Sequence, residues 1–499
     1  MNEKTSKLKL PSPPRTFGFF VDGEHIEAGN RKVLERTSPA HDVCVTRIPR
    51  CTKDDLDKAI FAARAAFEDR RWSGLSGGER ASVLLKAASG IRERLDEIAY
   101  FETLENGKPI SQARGEVEGA ASIFEYAAGV ARTLHGDTFN NLGDKMFGLV
   151  TREPIGVVGL ITPWNFPFFI LCERTPFILA SGCTIVAKPS ETTSASTLIL
   201  ADILNEAGLP AGVYNVVTGS GREIGQALTE HAGIDMISFT GSTAVGRGIV
   251  HAAAGNFKKL GLELGGKNPQ IVFADADLQD AADGVAFGLA FNAGQCCVSG
   301  SVLLVERSVA EEFEALLADK LSKIVVGDPL DPTTQVGAIT TDAQNTSILN
   351  YIETGKKEGA KLVCGGSSLD FGAGRFIAPT LFSKVTKKMS IAREEIFGPV
   401  LCVLPFDSME EAVKIANDTE YGLAASIWTK NIDKATQVSR QVQAGRVWVN
   451  CTITGGPELP IGGFKQSGWG RETGTYGVEE YTQIKSVHIE LGKREHWIR

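Results

Sequence analysis

The chain has 499 residues, of which 43% are hydrophobic and 22% charged, and its formal net charge is -8. At about 100–200 residues per domain, that length corresponds to roughly two to four domains. An acidic balance without a clustered basic face gives nucleic acid no electrostatic footprint, and no apolar run reaches the ~18 residues of a membrane span.

The N-terminus, MNEKTSKLKLPSPPRTFGFF, lacks the apolar stretch of a signal peptide and reads as a flexible polar tail over residues 1–15. Leu56, Ile60, Ala63 and Phe67 predict an amphipathic helix over 55–70, and Leu84, Ala88, Ile91, Leu95 and Ile98 another over 84–98. Residues 133–154 have strand and turn character and read as a surface hairpin whose open edges a partner subunit would cover. IGVVGLIT (155–162), ended by Pro163, is short and wholly apolar, as a buried strand is. TIVAK (184–188), VYNVV (213–217), DMISF (235–239) and QIVF (270–273) are further strands, with helical stretches at 193–207 and 222–231 between them. A second alternation runs from SVLLVE (301–306) through helical 309–324 to VWV (447–449). Strands alternating with helices give parallel sheets. The fold class is therefore α/β, with two open parallel-sheet domains meeting near 264–268.

Nine cysteines, an odd number, form no disulfide framework, which suits a reduced, cytoplasmic protein. There is no CxxC pair and the seven histidines form no HxxxH cluster, so ligand spacing offers no metal site. Cys296 and Cys297 stand apart from the others in FNAGQCCVSGS, at a glycine-rich junction after an apolar segment. Backbone N–H groups there would stabilise a thiolate, but packing and redox chemistry also fit the pair. Glu263 in GLELGGKNP is either a buried general base or a strand-edge carboxylate. Asn165, between two prolines in ITPWNFPF, follows a strand, where sites collect in open sheets. Its amide suits an oxyanion hole or an Asx turn. Lys188 and Glu191 in VAKPSE suit ribose hydroxyls or pair with each other, and Gly241 and Gly246 in FTGSTAVG bracket a helix start that would attract phosphate.

Together, PWNFP, KPSE, FTGSTAVG, LELGGKNP, FNAGQCC, EEIFGPV and PIGGFKQSGWGRETG resemble the NAD(P)-dependent aldehyde dehydrogenase superfamily, in its order, from about Phe20 onward. The resemblance implies two Rossmann-like domains: an NAD-binding domain over 16–132 and 155–265, and a catalytic domain over 266–466. It makes 133–154 and 479–499 oligomerisation elements of a homodimer or homotetramer. It implies Cys297 as nucleophile, Glu263 as general base and Asn165 as oxyanion donor. Trp164, Lys188, Glu191, Gly241, Ser242, Gly246, Glu395 and Phe397 would hold NAD, with NADP possible but disfavoured by the Glu191 carboxylate. Glu263 favours hydrolysis to the free acid over acyl transfer to coenzyme A.

The implied substrate funnel comprises Phe166, Phe169, Ile170, Glu173, Cys296, Val298 and residues 451–459, Glu458 among them. Glu173 stands where the family's aliphatic-aldehyde enzymes often carry tryptophan. Two carboxylates among aromatic walls suit a cationic aldehyde, unless Glu173 merely pairs with Arg174. No arginine is evident in these stretches for a substrate carboxylate. The alternatives are a broad-specificity aldehyde dehydrogenase and, in another class, a non-catalytic cofactor binder or a thiol redox sensor.

Overall fold

Strands buried on both faces have no polar positions to alternate with, and the apolar runs of this chain become the centres of two sheets. The computed structural model describes residues 9–494 and 496–498. In the first sheet Lys259–Glu263, Met236–Thr240, Val157–Ile161, Thr184–Lys188 and Tyr214–Val216 lie side by side, all parallel. Phe19–Val21 and Glu24–Ile26 extend one edge, and Gly468–Trp469 pairs antiparallel at the other. The second sheet runs Lys361–Cys364, Thr380–Ser383, Val400–Phe406, Val302–Glu306, Pro269–Val272, Ala424–Trp428 and Arg446–Val449. The chain passes from one sheet to the other through residues 264–268, between Glu263 and Pro269.

Helices cover both faces of each sheet. On the first, Leu84, Val117, Phe124 and Leu198 pack over Leu160 and Ile185, while Leu56 and Ile60 pack over Val157 and Ile237 on the other side. The helix Lys53–Glu68 starts where Thr52 and Asp55 satisfy each other's backbone N–H groups. The expected helix over 84–98 is two helices, Gly77–Glu93 and Leu95–Asn106, because Arg94 leaves the helical region at φ -104°, ψ 18°.

Where it is described, the expected tail is structured. Residues 1–8 lie outside the described residues. Beyond them, Leu10 packs with Val45, Leu104 and Leu330, the Tyr100 hydroxyl donates to the Lys9 carbonyl, and Arg15–Thr16 forms a short parallel strand beside Thr46 and Arg47. The 133–154 segment forms Asp137–Phe139 and Met146–Pro154, and the latter pairs along its length with Thr482–Glu490.

Candidate active site

The helix Leu278–Ala290 ends in three consecutive residues with left-handed backbone, Asn292, Ala293 and Gly294 at φ 50°, 55° and 71°. This reversal turns the chain so that Cys296 and Cys297 enter a cavity of about 1070 Å³. Buried side chains fix the loop. Asn268 Nδ2 donates to the Cys297 carbonyl at 2.8 Å and to that of Ser299 at 2.9 Å. Gln295 Nε2 donates to the Asn292 carbonyl at 3.1 Å and its Oε1 accepts from the Thr340 N–H at 2.9 Å.

Cys297 and Glu263 both line the cavity. Glu263 Oε1 is buried without a hydrogen-bond partner. Burial pushes its carboxyl well above the usual carboxylate range, against the pull of Arg174. The Cys297 thiol is also raised well above its ordinary value, first by a side-chain hydrogen bond with Cys296 and then by burial. Burial thus favours the protonated form of Glu263, as burial and the Cys296 hydrogen bond do for Cys297, and each acts only after losing its proton. Asn165 is buried but does not line the cavity; its Nδ2 donates to the Gln295 carbonyl at 3.1 Å. An amide nitrogen carries two protons, so one remains for a second acceptor.

The funnel wall follows from one short helix, Pro167–Cys172, with Pro167 in its first turn. Phe166, Phe169, Ile170 and Glu173 fall three and four residues apart and share the face turned to the cavity. Phe166 stacks on Phe291 at 5.6 Å, and Cys296, Val298 and Ile453 complete this apolar cluster. The buried Lys108 ammonium lies 4.5 Å from the Phe166 ring centre and pins it from behind.

Two expectations about charge are corrected. Glu458 is exposed and absent from the cavity wall; its carboxylate folds back over Gly456, and it acts, after burial, to raise the Tyr126 phenol. An arginine is present after all: Arg446 lines the cavity from the start of the last strand of the second sheet. Glu173 does line the cavity, 3.7 Å from Arg174 Nη1. Burial still raises its pKa, against the attraction of Arg174 and Arg446. Arg174 also reaches Glu472 at 3.4 Å, so its positive charge is shared between two carboxylates.

A second cluster lies outside that cavity at the carboxyl ends of the first sheet's strands. Lys188 ends its strand with Nζ 3.9 Å from Glu191 Oε2, and burial lowers its pKa to about 8. Glu191 in turn accepts from the Gly221 N–H at 2.9 Å. Ser242 caps the helix Thr243–Ala253, accepting from the Val245 N–H at 3.4 Å. Gly241 donates its N–H to the Glu263 carbonyl at 3.0 Å, while Gly246 sits inside the helix, tight against Leu264. Trp164 meets Phe397 edge to face at 5.4 Å. Glu395 accepts from the Gly266 N–H at 3.0 Å, and burial raises it to about 7. A Cβ on Gly265 would stand 2.4 Å from Glu395 Oε2, so a side chain there would push the Glu395 carboxylate away from the loop. Glu395 is among the groups acting on the Cys297 thiol, which joins this cluster to the cavity.

The model of the aldehyde dehydrogenase family matches residues 25–487. The chain belongs to this family. It is 50% identical to an NAD-dependent aldehyde dehydrogenase from Sinorhizobium meliloti, with a TM-score of 0.96 and 97% of each chain covered. A betaine aldehyde dehydrogenase from Staphylococcus aureus, solved with NAD+, is 35% identical, with a TM-score of 0.94 and 96% of this chain and 95% of that one covered. DhaS of Bacillus subtilis (strain 168) is 41% identical over 474 residues, 95% of each chain. Aldehyde dehydrogenase folds thus account for both sheets and their connection. Among the described residues, no helix is long and apolar enough to cross a membrane, and no cluster of His, Cys, Asp or Glu could hold a metal ion.

Proposed function

We propose that this protein oxidises an aldehyde to the free carboxylic acid with NAD, through a covalent intermediate on Cys297. The observation that carries this reading is a thiol and an unpartnered buried carboxyl, Cys297 and Glu263, facing one aromatic-walled cavity. The second cluster suits NAD: Lys188 and Glu191 offer a cation and a carboxylate for ribose hydroxyls, and the N–H groups opening the helix Thr243–Ala253 suit a pyrophosphate. Gly265 and Gly266 let the backbone pass close to Glu395, whose carboxylate suits a nicotinamide ribose. NAD+, when bound, supplies the hydride acceptor.

The chain's own residues do the rest. The Cys297 thiol gives up its proton to solvent, and the sulfur adds to the aldehyde carbon. The carbonyl oxygen becomes an oxyanion, which the free Asn165 N–H and the Cys297 backbone N–H stabilise. Once the carbon is oxidised to a thioester, Glu263 removes a proton from water, whose oxygen displaces the sulfur. A carboxylate at position 191 repels a 2′-phosphate, which favours NAD over NADP.

A cationic substrate rests on the likeness to betaine aldehyde dehydrogenase; against it stand two guanidinium groups, Arg174 and Arg446, acting on Glu173. The test of the mechanism is Glu263→Gln with propanal or benzaldehyde. We expect one burst of NADH and then an acyl adduct on Cys297 visible by intact mass. A steady rate near wild type would overturn the role of Glu263. In wild type, the base acts only when ionised and burial raises its pKa, so the acid limb of kcat should lie at higher pH than an ordinary carboxylate near ~4.3 gives.

A further inference from the structure

This inference rests on the dehydrogenase reading above and concerns what the funnel selects. The charged groups of the cavity wall are accounted for one by one, except one. Glu116 meets the buried Lys108 at 2.5 Å. Glu173 and Arg174 are partners at 3.7 Å, and Arg174 also serves Glu472. At the rim, Lys320 is 3.4 Å from Asp283 and Lys323 is 2.6 Å from Asp319. Glu263 is left to the chemistry. Arg446 remains: among the described residues its guanidinium makes no hydrogen bond and has no carboxylate oxygen within 4.0 Å, though it lines the cavity.

Its position is nonetheless held. The guanidinium carbon lies 5.0 Å from the centre of the Trp448 ring, and Trp448 is locked by its indole N–H to the Thr454 carbonyl at 2.6 Å. Gly455, at φ 135°, covers it from the other side; a Cβ there would stand 3.0 Å from Nη2. A guanidinium has five N–H donors in a rigid fork and cannot lose its proton. Leaving such a group partly buried and unpaired is costly unless a ligand completes it. It opens into the same cavity as Cys297, walled by Phe166, Phe169 and Phe291.

We propose that Arg446 is the anchor for a carboxylate on the substrate, so that the preferred aldehydes are oxo acids: an aldehyde at one end for Cys297 and a carboxylate at the other for the guanidinium. Glu173 does not occupy Arg446, since no ion pair forms between them and Arg174 is its partner.

The experiment compares kcat/KM for three matched pairs with NAD: 4-oxobutanoate and butanal, 6-oxohexanoate and hexanal, 4-formylbenzoate and benzaldehyde. At least one oxo acid should exceed its neutral partner about tenfold or more. In Arg446→Met the ratio of oxo acid to neutral aldehyde should fall roughly 30-fold, through KM, and Arg446→Lys should recover part of it. A purely structural role would lower both members of a pair and leave the ratio unchanged. If Arg446→Met does not fold, inhibition of wild type decides: hexanoate should compete with aldehyde and hexanamide should not. Neutral aldehydes used as well as oxo acids in all three pairs, or equal inhibition by the two hexanoyl compounds, would overturn the assignment while leaving the dehydrogenase intact. No NADH from any of the six aldehydes would overturn the dehydrogenase reading itself, and this one with it.

Discussion

Asn165 commits one amide proton to the backbone of the loop that carries Cys297, and the value of the other can be measured. Removing the side chain leaves the Gln295 carbonyl with a donor, because Asn292 Nδ2 also reaches it at 3.2 Å. Asn165→Ala should therefore fold, with a melting temperature near that of wild type. Loss of one oxyanion donor should nevertheless lower kcat on the order of 100-fold. A kcat within threefold of wild type would remove Asn165 from the mechanism. Residues of this kind were legible in the sequence because they stand at strand ends, set off by proline or glycine: Asn165 between Pro163 and Pro167, Glu263 before Gly265. Asn268 and Arg446 carry no such mark. Asn268 precedes a proline, as turn residues do, yet its amide ties two carbonyls of the Cys297 loop. Arg446 only precedes an apolar strand, and its aim depends on how residues 450–457 fold over it. Glu458 misled for the same reason, since a loop's path decides which side chains face inward.

At the level of the element, the turn after Leu278–Ala290 is where backbone conformation and chemistry meet. Gly294 is left-handed, and a Cβ there would stand 2.3 Å from the carbonyl carbon of Gly398. Both objections apply at once: the backbone disfavours a side chain, and rigid backbone occupies the space. Gly294→Ala should cost about 2–4 kcal/mol of stability and lower kcat by moving Cys297. Gly129 is the contrast: exposed, near the C-terminal end of the helix Ile110–Thr133, with open space where a Cβ would go. Gly129→Ala should stabilise by about 0.5–1 kcal/mol. Thermal melts of the two variants beside wild type check both signs; a stabilised Gly294→Ala would mean the turn relaxes freely. Elements differed in legibility by the same physics. Central parallel strands were readable as unbroken apolar runs, such as 155–162. The long helix Ile110–Thr133 fills half of its buried positions with alanine, which marks a face less plainly than leucine or isoleucine, and the short N-terminal strands are half exposed and lack a full alternation.

For the whole molecule, the open question is the three-stranded sheet formed by Asp137–Phe139, Met146–Pro154 and Thr482–Glu490. Its outer strand brings residues over 300 positions away in sequence beside the hairpin. The strand Thr482–Glu490 is exposed along nearly all its length, with Ile484 67% and Ile489 38% accessible. Phe139 on the same sheet and Leu142 in its connecting loop are exposed, at 43% and 47%. A thin sheet with apolar side chains in water and a free backbone edge is a template for pairing. Closed two-fold symmetry would let one copy cover the other without an endless fibre. We therefore expect self-association through this sheet, as a dimer or a pair of dimers. Light scattering on the eluting peak should give a multiple of the 53.4 kDa chain mass, and Ile484→Lys combined with Ile489→Lys should shift the population toward the single-chain mass. Wild type eluting as a single chain at micromolar concentration would refute the expectation. If the double variant becomes a single chain and keeps turning over aldehyde, the active site is complete within one chain; if turnover falls with the mass, the neighbouring copy supports the loops around Cys297.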